Sequence, residues 1–361
     1  MKIVAVEVLP FEAGGRIGAS TYRRTHAAVR VVTDEGLVGI SRIGPEAGPY
    51  VEQTLAPELV GQDPANVERL WERMYGAVAR SGSPRSGAVG MVGSLDVALW
   101  DLLGKQLGRP VWQLLGGLRD RVEAYADAIP VVPGRESAAA LAEAMAGYVD
   151  GGFAAVKLHL PRGAPDEVVA DVARVRAAIG PQVRLMVDVH RKWDPWTAVE
   201  IARRLEPSDV YWLEEPVSGD DQVGGLALVA ARIRQLVAGA EGEHSLHACR
   251  DYVARGALHV LQADILGAGG FTAWRRIAAV AQAYHVRVAP HGASFPELNA
   301  HLVASLPNGL IVSAFPPGEP YEVWSRLYRE PLQLRKGEIR LGAAPGLGLE
   351  LDEAFIARHR P

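Results

Sequence analysis

Asp188, Glu214 and Glu241 stand 26 and 27 residues apart, and each closes a short apolar run. The runs read Met186-Val187-Asp188-Val189-His190, Trp212-Leu213-Glu214-Glu215-Pro216 and Ala240-Glu241-Gly242-Glu243. Three converging carboxylates repel one another unless a cation neutralises them. A carboxylate-rich, all-oxygen set suits a hard divalent ion, Mg2+ before Ca2+ or Mn2+, and tells against zinc. Glu214 and Glu215 point to opposite faces of a strand, so only one of them is a ligand. Glu241 and Glu243 share a face, and the even spacing favours Glu241.

Ionisable groups flank these acids. Val156-Lys157-Leu158-His159 puts Lys157 and His159 on one strand face. Gln262-Ala263-Asp264 and Ala289-Pro290-His291 end two further runs. A carboxylate beside an imidazole fixes its tautomer and raises its basicity, so Asp264 and His291 read as a pair. His190 follows Asp188 by two residues, on the same face. One acid at a strand end is ordinarily a solvated residue, and one histidine a packing residue. Six polar strand ends in succession are a site.

The elements that must position them follow from periodicity. From Val122 onward short apolar strands alternate with amphipathic helices. The strands are Val122–Ala126, Ala154–Leu160, Val183–Val189, Val210–Glu214, Leu236–Glu241, His259–Asp264, Val286–Pro290 and Leu310–Ser313, with helices such as Asp166–Ile179 and Thr272–Tyr284 between them. This pattern predicts a parallel (β/α)8 barrel, whose site lies at the C-terminal strand ends. No Gly-x-Gly-x-x-Gly opens a helix after a first strand, which argues against a doubly wound nucleotide fold. The first hundred residues differ. Strands Ile3–Val8, His26–Thr33 and Leu37–Ser41, the last two joined by Asp34-Glu35-Gly36, precede helical stretches over Val51–Ala79 and Gly93–Leu107. They form an α+β module, onto which the segment after Pro331 folds back.

Composition narrows the class. The 361 residues carry 38 basic and 42 acidic side chains, a net charge of −4 without basic clusters, so no nucleic-acid surface is expected. The single cysteine, Cys249, forms no internal disulfide and fits a reducing compartment. No apolar run reaches the roughly 18 residues of a membrane span. The N-terminus alternates like a strand and lacks a signal peptide's apolar block. A cytoplasmic globular enzyme, with no membrane partner, is the expectation.

The sequence resembles the enolase superfamily in its mandelate racemase and muconate-lactonising branch. The marks are Ser94-Leu95-Asp96-Val97-Ala98-Leu99-Trp100-Asp101-Leu102-Leu103-Gly104-Lys105, Gly108-Arg109-Pro110 and Leu114-Leu115-Gly116-Gly117, then the Lys-x-basic pair, the three acids and the Asp–His pair. The resemblance implies a modified (β/α)7β TIM barrel over residues 121–330. It also implies an α+β capping domain over 1–120 joined by the tail 331–361. By the same likeness Asp188, Glu214 and Glu241 bind Mg2+, and the shared step removes the proton α to a carboxylate to give a metal-held enediolate. Relatives of this kind are commonly dimers or octamers, so a homo-oligomer is implied.

Departures from the racemase-like pattern bear on the reaction. His159 stands where that pattern has a second lysine, His190 where the branch often has asparagine, and Ser313 where strand eight has a carboxylate-binding glutamate. A histidine at position 190 resembles the sugar-acid dehydratases, in which it is expected to protonate a departing 3-hydroxyl. The implied reaction is dehydration of an aldonate or aldarate to a 2-keto-3-deoxy acid. His291 would act as base or acid with Asp264, His190 as leaving-group acid, and Lys157 as partner of the substrate carboxylate. The alternative is a racemase, epimerase or lactone cycloisomerase using His159 or Lys157 against His291. Specificity is expected from cap segments, Phe11–Tyr22 with Arg16 and the stretch around Arg42–Pro49, and from Ser313.

Overall fold

The computed structural model describes residues 1–17, 20–81, 87–128, 137–160, 164–316 and 326–361, without the side chains of 15–17 and 20–22. It opens with a three-stranded antiparallel sheet, β1 (Ile3–Ile17), β2 (Ser20–Thr33) and β3 (Val38–Ile43). The segment expected as a loop from Phe11 to Tyr22 is strand for most of its length. β1 and β2 stay paired from Ile3 opposite Thr33 to Ile17 opposite Ser20. The reason is that apolar alternation continues past Pro10: Phe11 and Ala13 are buried, and Phe11 meets Phe355 edge-on at 5.9 Å. The helical stretch expected over Val51–Ala79 is divided: short helical turns end at Leu59, where Val60 turns extended and Gly61 takes φ +80°, and a helix, α1, spans Val67–Arg80.

Helix α2 (Ala88–Leu107) is buried on nearly all sides, including Val92, Leu95, Leu99 and Leu102. A helix apolar all round must be enclosed, and this one lies between the cap sheet and the barrel. Gly93 permits the approach, since a side chain there would strike the Leu266 carbonyl. Two acids of α2 are the clamps. Asp96 accepts hydrogen bonds from the Thr272 backbone N–H (3.0 Å) and hydroxyl (2.6 Å), capping a barrel helix from outside it. Asp101 accepts from the N–H groups of Ile40 (3.0 Å) and Leu347 (2.8 Å) and pairs with Lys105, tying β3 and the C-terminal tail to α2.

The barrel strands are β4 (Arg121–Ala128), β5 (Ala155–His159), β6 (Arg184–Asp188), β7 (Val210–Glu214), β8 (Leu236–Gly239), β9 (Val260–Leu261), β10 (Arg287–Val288) and β11 (Val312–Ala314). They are parallel and sequential from β4 to β10, and β11 pairs with β4. Val288 exchanges backbone hydrogen bonds with Asn308 and Leu310, which closes the ring. Seven helices, α3 (Ala138–Asp150), α4 (Pro165–Ile179), α5 (Pro195–Arg204), α6 (Gln222–Ala230), α7 (Leu246–Ala254), α8 (Gly270–Ala283) and α9 (Pro296–Ser305), follow the first seven strands. This is a modified (β/α)7β TIM barrel.

The tail divides between the two units. Strand β12 (Leu334–Arg335) leads into β13 (Glu338–Arg340), which pairs antiparallel with Arg121–Glu123 of β4. Helix α10 (Glu353–Arg358) packs on β1, and the Glu12 N–H donates to the His359 carbonyl at 2.6 Å. Among the described residues no helix is long and apolar enough to cross a membrane.

The clamps make two predictions. Asp101→Ala leaves two buried N–H groups without an acceptor and Lys105 without its partner, and is expected to lower stability by about 2–4 kcal/mol in urea unfolding. Burial pushes the Asp96 carboxyl up to about 7, against the lowering effect of the Thr272 hydrogen bonds. A folded pKa above the unfolded value of about 4 adds stability that is complete below that value and lost as pH rises through 7. Asp96→Asn is therefore expected to gain melting temperature relative to the parent between about pH 5 and 8.

Candidate active site

The barrel interior is built in steps of two residues. Tyr125, Ala155, Met186, Trp212, Ala238, Val260, Ala289 and Ile311, one from each strand or its immediate flank, form a buried apolar floor. Tyr125 and Trp212 fill its centre, edge to face at 5.6 Å. Side chains alternate along a strand, so the residues two further on rise above that floor. They are Asp127, Lys157, Asp188, Glu214, Ala240, Gln262, His291 and Ser313. At β8 the chain kinks: Ala240 has φ +73°, and Glu241 rather than Ala240 bears the polar group.

Lys157 is fully buried among the acids. Its ammonium donates to Glu214 Oε1 at 2.7 Å and lies 3.4 Å from Asp127 and 3.7 Å from Asp188. Burial opposes that charge, but the surrounding carboxylates hold the ammonium well above its ordinary pKa. Glu214 Oε2 also accepts from Gln262 (2.8 Å) and Trp212 Nε1 (3.2 Å). The sequence reading did not single out Asp127, because it ended the first strand at Ala126. Asp127 accepts from Ser313 Oγ at 2.7 Å and from His159 Nε2. Ser313, expected to touch substrate, is buried with its proton directed at Asp127, so its place in the structure is beneath the site. Arg16 pairs through its backbone with Thr21, and its side chain lies outside the described residues.

His159 and His190 stack with ring centres 4.8 Å apart, and His159 Nδ1 lies 2.7 Å from His190 Nε2 and 3.2 Å from Asp188 Oδ2. Burial lowers the His159 pKa, yet the charge and hydrogen bond of Asp127 outweigh it and push it up to about 9. His190 is nearly half exposed, and burial of its remainder lowers its pKa. On the other side, His291 Nδ1 lies 3.7 Å from Asp264 and Nε2 lies 3.5 Å from Glu241. Burial acts against its charge, but Asp264 and Glu241 raise its pKa to about 9. Asp264 is itself fixed by the N–H groups of Leu266 and Gly267, both at 2.9 Å.

Glu215 is a second residue whose place the sequence did not reveal. It is buried, pairs with Arg191 at 2.9 Å, and accepts from the N–H groups of Ala240 (2.8 Å) and Glu241 (3.2 Å). It thereby supports the kink that presents Glu241. Glu243 turns away and accepts from Tyr252. His190, Arg191, Glu215 and Ala240 all have φ between +44° and +73°, and all follow strands β6 to β8. Such strain persists where packing over-determines it and gathers at functional rims.

The acids fit a hard divalent cation. Burial raises the pKa of Glu214 and of Glu241, and the charge of Asp188 raises both further. Among the described residues Lys157 is the one cation within ion-pair reach of all three of Asp127, Asp188 and Glu214, with His159 beside Asp127 and Asp188, and Glu214 has no second cationic partner. An oxygen-only set short of positive charge is what such an ion satisfies.

The chain belongs to the mandelate racemase/muconate lactonizing enzyme family of the enolase superfamily. Residues 7–116 match the mandelate racemase/muconate lactonizing enzyme N-terminal domain, and residues 139–355 match the enolase C-terminal domain-like family. It is 33% identical to a D-galactonate dehydratase family member of Streptomyces bingchenggensis, over 99% of this chain and 92% of that one. It is 31% identical to the D-galactarolactone cycloisomerase of Agrobacterium fabrum, over 94% and 92%. A racemase from Streptomyces coelicolor A3(2), solved with bound magnesium, superposes with a TM-score of 0.88 at 27% identity, over 99% and 100%.

Removing the central cation tests the electrostatics. Lys157→Met leaves the buried Glu214 without its cationic partner, and is expected to cost about 3–5 kcal/mol in chelator. Denaturant unfolding with and without Mg2+ should show the divalent ion recovering part of that loss.

Proposed function

We propose that this enzyme dehydrates a sugar acid, an aldonate or aldarate, to a 2-keto-3-deoxy acid, with Mg2+ held by Asp188, Glu214 and Glu241. The observation that carries the reading is His190. Its left-handed backbone and its N–H bond to Asp188 Oδ1 (2.9 Å) hold a half-exposed imidazole over the third barrel strand. In a ring of eight, the seventh strand, which His291 follows, is diametrically across from it. Loss of hydroxide needs an acid on its oxygen, whereas simple proton exchange does not. The dehydratase relative supports the same choice.

When bound, the divalent ion polarises the substrate carboxylate and makes the neighbouring C–H more acidic. His291 Nε2 takes the C2 proton, with Asp264 facing Nδ1 to hold the ring. His190 gives a proton to the 3-hydroxyl, the C3–O bond breaks, and water leaves. The resulting enol becomes the ketone as C3 takes the proton held on His291 and the enol hydroxyl gives up its own, which returns to His190. Lys157 offsets the charge of the acids and adds a positive field toward the carboxylate.

A second reading draws on His159. Its ring is backed by Asp127 as His291 is by Asp264, so two supported imidazoles flank the acids, an arrangement suited to racemisation, epimerisation or lactone cycloisomerisation. The cycloisomerase relative fits that chemistry.

Incubating the Mg2+ enzyme with candidate sugar acids in deuterated water separates them. Dehydration gives a semicarbazide-reactive keto acid; α-deuterium uptake without keto product would sink the first reading. His190→Asn is expected to keep α-exchange and lose keto-acid formation, while His291→Asn loses both by about 10²–10⁴-fold. Exchange should also rise with pH, since the neutral imidazole is the base and His291 is held toward 9 in the metal-free protein.

A further inference from the structure

We propose that His159, Asp188 and His190 form a second metal site, distinct in chemistry from the three acids, which takes a borderline transition-metal cation of the Zn2+ or Co2+ class. Among the described residues, the group offering one donor atom each within 4.8 Å of one another is this one, rather than Asp188, Glu214 and Glu241. His159 Nδ1 is 2.7 Å from His190 Nε2 and 3.2 Å from Asp188 Oδ2. Tetrahedral bonds of about 2.0 Å set neighbouring donors about 3.3 Å apart. Asp188 is already at that spacing from His159 Nδ1, the two imidazoles need part by only about half an ångström, and all three donors lie within 4.8 Å of one another.

The surroundings of the three donors point the same way. The far nitrogen of His159, Nε2, is hydrogen-bonded to Asp127, which is buried and held in turn by Ser313 at 2.7 Å. A carboxylate on the distal nitrogen fixes the tautomer and aims the other nitrogen at a metal, and metal-ligating histidines almost always have a carboxylate, carbonyl or water in that place. Asp188 is held by the His190 N–H at 2.9 Å, and His190 is nearly half exposed, so the site has an entry path and room for water. Two imidazoles and one carboxylate favour Zn2+, Co2+ or Ni2+ over Mg2+, which prefers oxygen alone. Asp188 is common to both sets, so it would bridge the two sites. An ion held there occupies both imidazoles on this flank. On the dehydratase reading, on which this consequence rests, such an ion stops turnover while Mg2+ stays bound.

Titration of the metal-free protein with Co2+, followed by calorimetry and visible absorption, tests the site. The parent is expected to take two equivalents, one showing the absorption of nitrogen-ligated Co2+. His190→Ala and His159→Asn, checked for folding by circular dichroism, should each take one equivalent fewer and lose that absorption. Asp127→Asn should weaken the nitrogen-ligated equivalent about 10–100-fold. Equal stoichiometry and spectra in the parent and both histidine variants would overturn the proposal. If the oxygen site fails instead, every count falls by one and the difference between parent and variants remains. Loss of the dehydratase reading alone shows as absent keto acid with Mg2+, and leaves the Co2+ counts unchanged.

Discussion

Negative charge held out of water is the constraint around which the molecule is arranged. Asp127, Asp188 and Glu214 are each nearly inaccessible, and they meet above a floor of tryptophan, tyrosine and aliphatic side chains. Isolated carboxylates in such a place would take up protons. Asp127 and Asp188 are held charged by Lys157 and by the imidazoles beside them, and directed donors from Ser313 to Asp127 and from Lys157, Gln262 and Trp212 to Glu214 complete the set. The barrel makes this feasible because parallel strands deliver one side chain each to a common level. No single strand carries more than it can balance.

The cap is joined to that barrel by the same device at smaller scale. Asp96 and Asp101 lie on one buried helix, and their carboxylates accept from backbone N–H groups of a barrel helix, the cap sheet and the tail. A further buried pair, Arg42 with Glu297, sits under the loop after His291, beside the Tyr328 hydroxyl. Asn299 donates toward the carbonyls of Pro290, His291 and Gly292 in the same loop. Polar groups thus fix the relation of cap, tail and the loop after His291, where apolar packing alone would permit sliding. Buried polar contacts of this kind enforce one arrangement because any other leaves them unpaired.

Much of this was legible from residue order. Strand ends that switch from aliphatic to charged marked the rim, and the spacing of about one βα unit put the acids on successive strands. The run from Ser94 to Lys105 showed its family before its purpose: its two acids are interface clamps. What escaped were residues whose role depends on the third dimension. Asp127 sits in Ala-Tyr-Ala-Asp-Ala, with no basic neighbour to draw notice, although it stands two residues beyond Tyr125 as Glu214 stands two beyond Trp212. Glu215 looked like the discarded half of a Glu-Glu pair, yet it bonds the backbone of the next strand end. The long β1–β2 hairpin was hidden by Pro10 and by glycines that read as a loop.

Strand β4 opens the barrel, but its edge is shared: β11 covers the half toward the site, and β13 the half away from it. The first strand is therefore complete only when residues near 340 arrive. The cap is likewise unfinished until Phe355 reaches Phe11. Contacts of such long sequence separation form slowly and late. During synthesis neither unit can be sealed until residues 338–358 have been made. Residues 338–358 act as a fastener for both units at once, and the ring of polar side chains above β4 is assembled on a strand that β13 holds in place.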